Sequence, residues 1–158
     1  MIKKILSTLS TARYSIQSLL QYCWKYGEPE VPEVTVEQLI GLQKGDDCEA
    51  GAIVVDVRSP AEYQVSMIPG AITQQQYEEQ RSEYADKLVI AYCTIGYRSG
   101  LFAFKLRKQG VDARNFKGSI LAWCNAEQPL TTLDGKATNR VHTYSAKLRV
   151  PSSYTAVY

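Results

Sequence analysis

One histidine, His142, stands among 158 residues, so any Cys-His or Ser-His machinery depends on that single side chain reaching the reactive group. Alone in a polar tail, it reads as a structural or exposed residue. The four cysteines, Cys23, Cys48, Cys93 and Cys124, are widely spaced and form no Cys-x-x-Cys pair. Neither a metal site such as zinc nor a disulfide framework is indicated, and a reducing compartment, the cytoplasm, fits them best. No apolar run is long enough to cross a bilayer. Neither sign of charge is in large excess: 18 Lys and Arg against 16 Asp and Glu give +2, which implies no basic surface for nucleic acid. A chain of this length suits one domain whose core needs no staples.

Acidic residues are also missing from the first 27 positions, which carry Lys3, Lys4, Arg13 and Lys25. Ile2, Ile5, Leu6, Leu9, Ile16, Leu19, Leu20 and Cys23 recur at helical spacing and predict one amphipathic helix over 1–27. Packing on the domain or on a partner is its expected use. A basic amphipathic helix also permits membrane-surface contact or organellar targeting, both less favoured. There is no continuous apolar h-region, so no secretory signal is read. Glu28-Pro-Glu-Val-Pro-Glu33 then forms a connector over 28–33, each proline biasing its predecessor away from helix.

The chemistry is concentrated in Leu88 to Gly100, Leu-Val-Ile-Ala-Tyr-Cys-Thr-Ile-Gly-Tyr-Arg-Ser-Gly, which sets a cysteine between an apolar strand and a helix start. Cys93 lies at the strand's carboxyl end, where a helix N-terminus offers unpaired N–H groups and the positive end of a dipole. An ordinary thiol pKa of roughly 8.5 falls to roughly 3.5–7.5 in such surroundings. Thr94, Ile95, Gly96 and Tyr97 separate Cys93 from Arg98, making a six-residue loop. Gly96 permits a turn that converges successive N–H groups, and Arg98 adds a forked, permanent cation. Such a cradle would hold a small dianion or a persulfide above the thiol. The plainer alternative is a buried structural cysteine.

Around this loop the pattern predicts strands at 34–36, 52–57, 72, 88–92 and 113–116, with helices at 37–43, 74–84 and 100–109. Strands alternating with helices imply an α/β fold, a mostly parallel central sheet with helices on both faces. Asp56, Arg58 and Cys93 then fall at the carboxyl ends of strands, where ligands bind. Beyond Leu130, Asp134-Gly135 signals a turn and 141–144 a short strand. The extension 131–158 is expected to pack across the domain or against the N-terminal helix, its Tyr144, Tyr154 and Tyr158 specifying no ligand; partner binding is the less favoured reading.

The sequence resembles the rhodanese family of sulfurtransferases. Ile53-Val-Val-Asp-Val-Arg58 with Ser59-Pro-Ala-Glu-Tyr63, Ile68-Pro-Gly-Ala-Ile72, Cys93-Thr-Ile-Gly-Tyr-Arg-Ser99 and Gly118-Ser-Ile-Leu-Ala-Trp123 match that family's signatures in order, placing a rhodanese-like domain over 34–130. Two positions depart from it: Ser66-Met67 stands where Gly-His is common, and Ser119 where a second glycine is common. The six-residue loop is the length seen in sulfurtransferase members, whereas related phosphatases use one residue more.

The resemblance implies sulfur transfer without cofactor or metal. The Cys93 thiolate would attack the outer sulfur of a small anionic donor, thiosulfate or a persulfide, and pass it to a thiol or cyanide acceptor. The amides of Thr94, Ile95, Gly96, Tyr97 and Arg98, together with Ser99, would hold the sulfur, and Arg98 would orient the donor. Asp56 and Arg58 would act directly or as a buried ion pair positioning the loop. The alternatives are a sulfur-relay or partner-binding module serving an acceptor protein, a redox-sensing thiol resolved by Cys124 or Cys48, and, with least weight, a phosphatase.

Overall fold

Val89–Tyr92 is buried at every position and runs through the middle of a parallel sheet. The structure is a computed structural model that describes residues 30–44 and 51–158. The helix expected over 1–27, the first part of the connector, Cys23 and Cys48 lie outside the described residues.

In chain order the main elements are β1 (Glu33–Val34), α1 (Val36–Lys44), β2 (Ile53–Asp56), α2 (Pro60–Tyr63), β3 (Ile72–Thr73), α3 (Gln74–Glu79), β4 (Val89–Tyr92), α4 (Tyr97–Arg107), β5 (Ala113–Phe116) and α5 (Ser119–Asn125). The sheet order is β1-β5-β4-β2-β3, every pair parallel. Register places Asp56 beside Tyr92, so the ends of β2 and β4 open at the same edge.

Alternation along β4 and β2 sorts the core onto two faces. Ile90, Tyr92 and Val54 pack with Leu39 of α1 and Ile120, Trp123 and Cys124 of α5. Val89, Ala91, Cys93 and Val55 pack with Tyr77 of α3 and Phe102, Ala103 and Leu106 of α4. Each fully buried aliphatic side chain contributes on the order of 2 kcal/mol. The strand is therefore the most strongly held part of the sheet, and Cys93 extends directly from it.

Several boundaries differ from the sequence expectation. The first strand stops at Val34 because Thr35 caps the helix instead: its hydroxyl accepts the Gln38 N–H at 3.4 Å, and the Gln38 side chain accepts the Thr35 N–H at 2.9 Å. The helix expected over 74–84 ends at Glu79, with Gln80 outside helical geometry and a 3-10 turn over Arg81–Tyr84. Glu78 and Glu79 place negative charge at its C-terminal end, where the dipole disfavours it. The helix expected from Gly100 starts three residues earlier at Tyr97, putting Arg98 and Ser99 in its first turn.

After α5 the chain forms β6 (Leu130–Thr131) and β7 (Ala137–Thr138), an antiparallel pair around the Asp134-Gly135 turn. Then β8 (Arg140–His142) pairs in parallel with β9 (Thr155–Val157). Val141 is fully buried in the Tyr92 core, and Val150 and Tyr154 pack against it. The strand expected over 141–144 ends at His142; Tyr144 instead takes a left-handed backbone, φ 67°. No helix among the described residues is long and apolar enough to cross a membrane.

Candidate active site

The loop after β4 is turned so that its carbonyls face outward and amides face the sulfur. Ile120 N–H donates to the Cys93 carbonyl at 3.2 Å and Leu121 N–H to that of Thr94 at 3.3 Å, so the start of α5 grips the outside of the bend. Gly96 closes it at φ 108°, a conformation L side chains avoid, and its N–H lies 3.2 Å from Cys93 Sγ. The Cys93 N–H donates to Ser119 Oγ at 3.0 Å.

Cys93 is 1% exposed: the bend closes over the sulfur. Burial alone would fit a structural cysteine, and Cys124 is such a case, its thiol pushed up to about 12 by desolvation. Burial raises the Cys93 thiol too, but the Ser99 hydroxyl and the amides of Ser99, Gly96 and Ile95 outweigh it, and the thiol ends below its ordinary value. Ser99 Oγ lies 3.6 Å from the sulfur and 2.7 Å from Asn115 Oδ1. A hydroxyl has one hydrogen, and the shorter bond takes it, so the peptide N–H groups are the steadier donors to the thiolate.

Arg98 does not stand free. Its Nη1 and Nη2 donate to the two oxygens of Glu62 at 2.7 Å each, and Nη2 also reaches Thr94 Oγ1 at 3.0 Å. Glu62 comes from α2, where it also accepts the Ser59 N–H and hydroxyl and the Thr94 hydroxyl. Burial raises its carboxyl, but Arg98 and these donors prevail and hold it at about 2. The same pair raises the Arg98 guanidinium above its ordinary value. The outer face of that guanidinium is covered by the Tyr144 ring, 5.6 Å from the Arg98 carbon to the ring centroid.

Asp56 and Arg58 form a fully buried pair, 2.7 Å between Nη2 and Oδ2. Asp56 also accepts the Tyr92 hydroxyl at 2.6 Å, and Arg58 donates to the Ser66 carbonyl at 2.6 Å. Among the described residues none of these hydrogen bonds reaches positions 93–99. Thr94 is buried, Ile95 is 55% exposed, and Tyr97 opens α4. The structure thus brings the Ser99 hydroxyl and the amides of Ile95, Gly96 and Ser99 to the Cys93 sulfur, ties Thr94 and Arg98 to Glu62, and leaves Asp56 and Arg58 behind Tyr92.

The sequence profile described as a rhodanese-like domain matches residues 35–126. The chain belongs to the rhodanese-like family. This rhodanese-like chain is 33% identical over 87 residues to a sulfurtransferase of Allochromatium vinosum, covering 52% of this chain and 81% of that one. It is 36% identical over 75 residues to a tRNA sulfurtransferase of Desulfurococcus amylolyticus, covering 48% of this chain but 15% of that protein. Among solved structures, a Rhodopseudomonas palustris protein of unknown function, described as a possible tyrosine phosphatase, superposes with TM-score 0.59 at 23% identity, over 77% of this chain and 97% of that one. A thiosulfate sulfurtransferase of Pseudomonas aeruginosa gives 0.54 at 24%, over 67% and 21%. Both share the fold.

The two departures from the rhodanese-like pattern are accommodated. Ser66 is buried and offers its carbonyl to Arg58, while Met67 bridges to Thr131. Ser119 adopts φ 54°, where glycine is easier, and its hydroxyl takes up the Cys93 N–H. Reading the sequence missed Glu62, Asn115, Ser119 and Tyr144. Ser59-Pro-Ala-Glu62 is a legible capping box that would have placed Glu62 at a helix start. Nothing in the sequence signals that Tyr144 reaches Arg98.

Proposed function

We propose that this protein is a sulfurtransferase working through a Cys93 persulfide. The observation that carries the reading is the contrast between two buried thiols on opposite faces of one sheet. Cys124 is raised by burial, which the charge of Arg58 offsets only in part, whereas the hydroxyl of Ser99 and the loop amides outweigh burial at Cys93 and lower it. The thiolate attacks the outer sulfur of thiosulfate, the S–S bond breaks, and sulfite leaves with the bonding pair. A terminal sulfur on Cys93 is then held by the N–H groups of Ile95, Gly96 and Ser99. A thiol or cyanide acceptor attacks that sulfur and restores the thiolate. The relatives named sulfurtransferase support the reaction type, and donor and acceptor are part of the proposal.

Intact-mass measurement after thiosulfate treatment tests it. A gain of one sulfur in the wild type, absent in Cys93→Ser and removed by cyanide, is expected. Absence of the adduct on protein whose Cys93 is free rejects the assignment.

A second reading is a sulfur-relay module serving an acceptor protein with little turnover on small acceptors. It is favoured by the C-terminal extension, which covers Arg98 with Tyr144 beside a sulfur that is already deeply buried. Persulfide formation with slow release to cyanide supports it; rapid release counts against it.

A further inference from the structure

The extension after the matched region delivers an aromatic ring to the one cation of the sulfur loop. We propose that Tyr144 is a positioning residue for Arg98 and makes the site prefer an organic persulfide over a small inorganic dianion. The inference rests on the sulfur-transfer reading above and adds the class of donor.

The placement of Tyr144 is built by its neighbours. Val141 anchors β8 in the core, Thr143 is fully buried, and the Thr143 N–H donates to the Val157 carbonyl at 2.8 Å. The next residue is then forced to φ 67°, and its N–H closes on His142 Nδ1 at 3.0 Å. An aromatic side chain that is 68% exposed is thus fixed at its base and turned over a guanidinium rather than left to swing in solvent.

Two consequences follow for a donor. An inorganic dianion needs the N–H groups of Arg98, but two of its nitrogens are engaged by Glu62 and its face lies under the ring. An organic donor carries a carbon body, and the solvent-exposed ring of Tyr144, with Ile95 55% exposed in the same loop, offers that body apolar surface. In the transfer the Cys93 thiolate attacks the terminal sulfur of R–S–SH. The S–S bond breaks, R–S⁻ leaves with the bonding pair, and the proton stays on the sulfur now attached to Cys93. No net oxidant or reductant is required.

The test compares wild type, Tyr144→Phe and Tyr144→Ala with glutathione persulfide and with thiosulfate as donors. The ratio of kcat/KM for glutathione persulfide to that for thiosulfate is expected to fall in Tyr144→Ala by roughly two- to fivefold, the size of one exposed cation–π contact, with the change in KM. Tyr144→Phe, which keeps the ring, is expected to retain the wild-type ratio. An unchanged ratio in Tyr144→Ala, or an equal loss in both variants, overturns the inference. A second measurement is independent of sulfur transfer: Cys93 alkylation by neutral iodoacetamide against anionic iodoacetate. Removing the ring is expected to shift selectivity toward iodoacetate. If wild type gains no sulfur from either donor, the sulfur-transfer reading fails, and an unchanged alkylation ratio then also rejects a role for Tyr144 in the approach to Cys93.

Discussion

The Arg98 guanidinium and the Glu62 carboxylate lie side by side, joined by two hydrogen bonds of 2.7 Å. Glu62 belongs to a short helix after β2 and Arg98 to the helix after β4, so this pair ties the sulfur loop to a separate crossover. The charge expected to be free for a donor is already shared.

The pair makes the loop acid-sensitive. Glu62 is held at about 2 from an ordinary 4.5, so its stabilisation is complete above the ordinary value and is lost as pH falls toward 2. Glu62→Gln is expected to cost at most on the order of 3 kcal/mol at pH 7, reduced because the Arg98 side chain is 36% exposed. Urea unfolding at pH 7 and pH 3 checks this. A deficit of the same size at both would remove the carboxylate's charge from the explanation.

Cys93 is expected to ionise below the ordinary thiol value, with burial opposing and the Ser99 hydroxyl and loop amides prevailing. The reactive thiolate therefore persists to lower pH than that of an ordinary cysteine, and the midpoint of the iodoacetamide rate profile should lie below that of a free thiol. Ser99→Ala should move that midpoint upward while leaving it below that of an ordinary thiol, because the amides remain. A midpoint at or above that of an ordinary thiol would make the hydroxyl the principal donor.

Ser119 separates backbone strain from hydrogen bonding. Ser119→Ala keeps a side chain at φ 54° and deprives the Cys93 N–H of its acceptor, whereas Ser119→Gly loses the acceptor but relaxes the backbone. Alanine is expected to be less stable than glycine by about 1 kcal/mol, read from denaturant midpoints. The reverse order would show that no strain is stored there.

The Asp56–Arg58 pair has no solvent exposure at either side chain. Asp56→Asn or Arg58→Leu alone is expected to cost about 3–5 kcal/mol, since each leaves a buried charge uncompensated, and the double replacement should cost less than the sum. Strict additivity in a double-mutant cycle would mean the two do not act as a pair.

Cys124 lies in the core containing Tyr92 and α5, and Cys93 in the core with α3 and α4 on the other face of the sheet. With the Cys124 thiol pushed up to about 12 by burial, it is protonated at neutral pH. Peptide mapping after mild peroxide is expected to find no Cys93–Cys124 disulfide. Finding one would revive a redox-sensing role and require the sheet to open.

The strand order of chemistry was readable because Val89–Tyr92 is apolar without interruption and a glycine stands three residues after the cysteine. Elements of four residues or fewer leave weaker traces: α2 and β9 have no periodicity to detect. Glu62 was hidden for another reason. Its function depends on a partner 36 residues away, and only the capping pattern around Ser59 was local. Tyr144 was invisible because its position follows from the pairing of β8 with β9 and a left-handed turn, neither of which alters local composition.

Tyr92 precedes Cys93, and its hydroxyl both donates to Asp56 at 2.6 Å and accepts the Ile68 N–H at 3.2 Å. The peptide leading into the bend is thereby pinned from the opposite side of the sheet from its helix. A ring of dipoles mounted on such a footing keeps its shape whether or not a guest atom is present. In the proposed sulfur transfer, capturing the extra sulfur would then require little rearrangement of the host, the work of aligning those dipoles having been completed during folding.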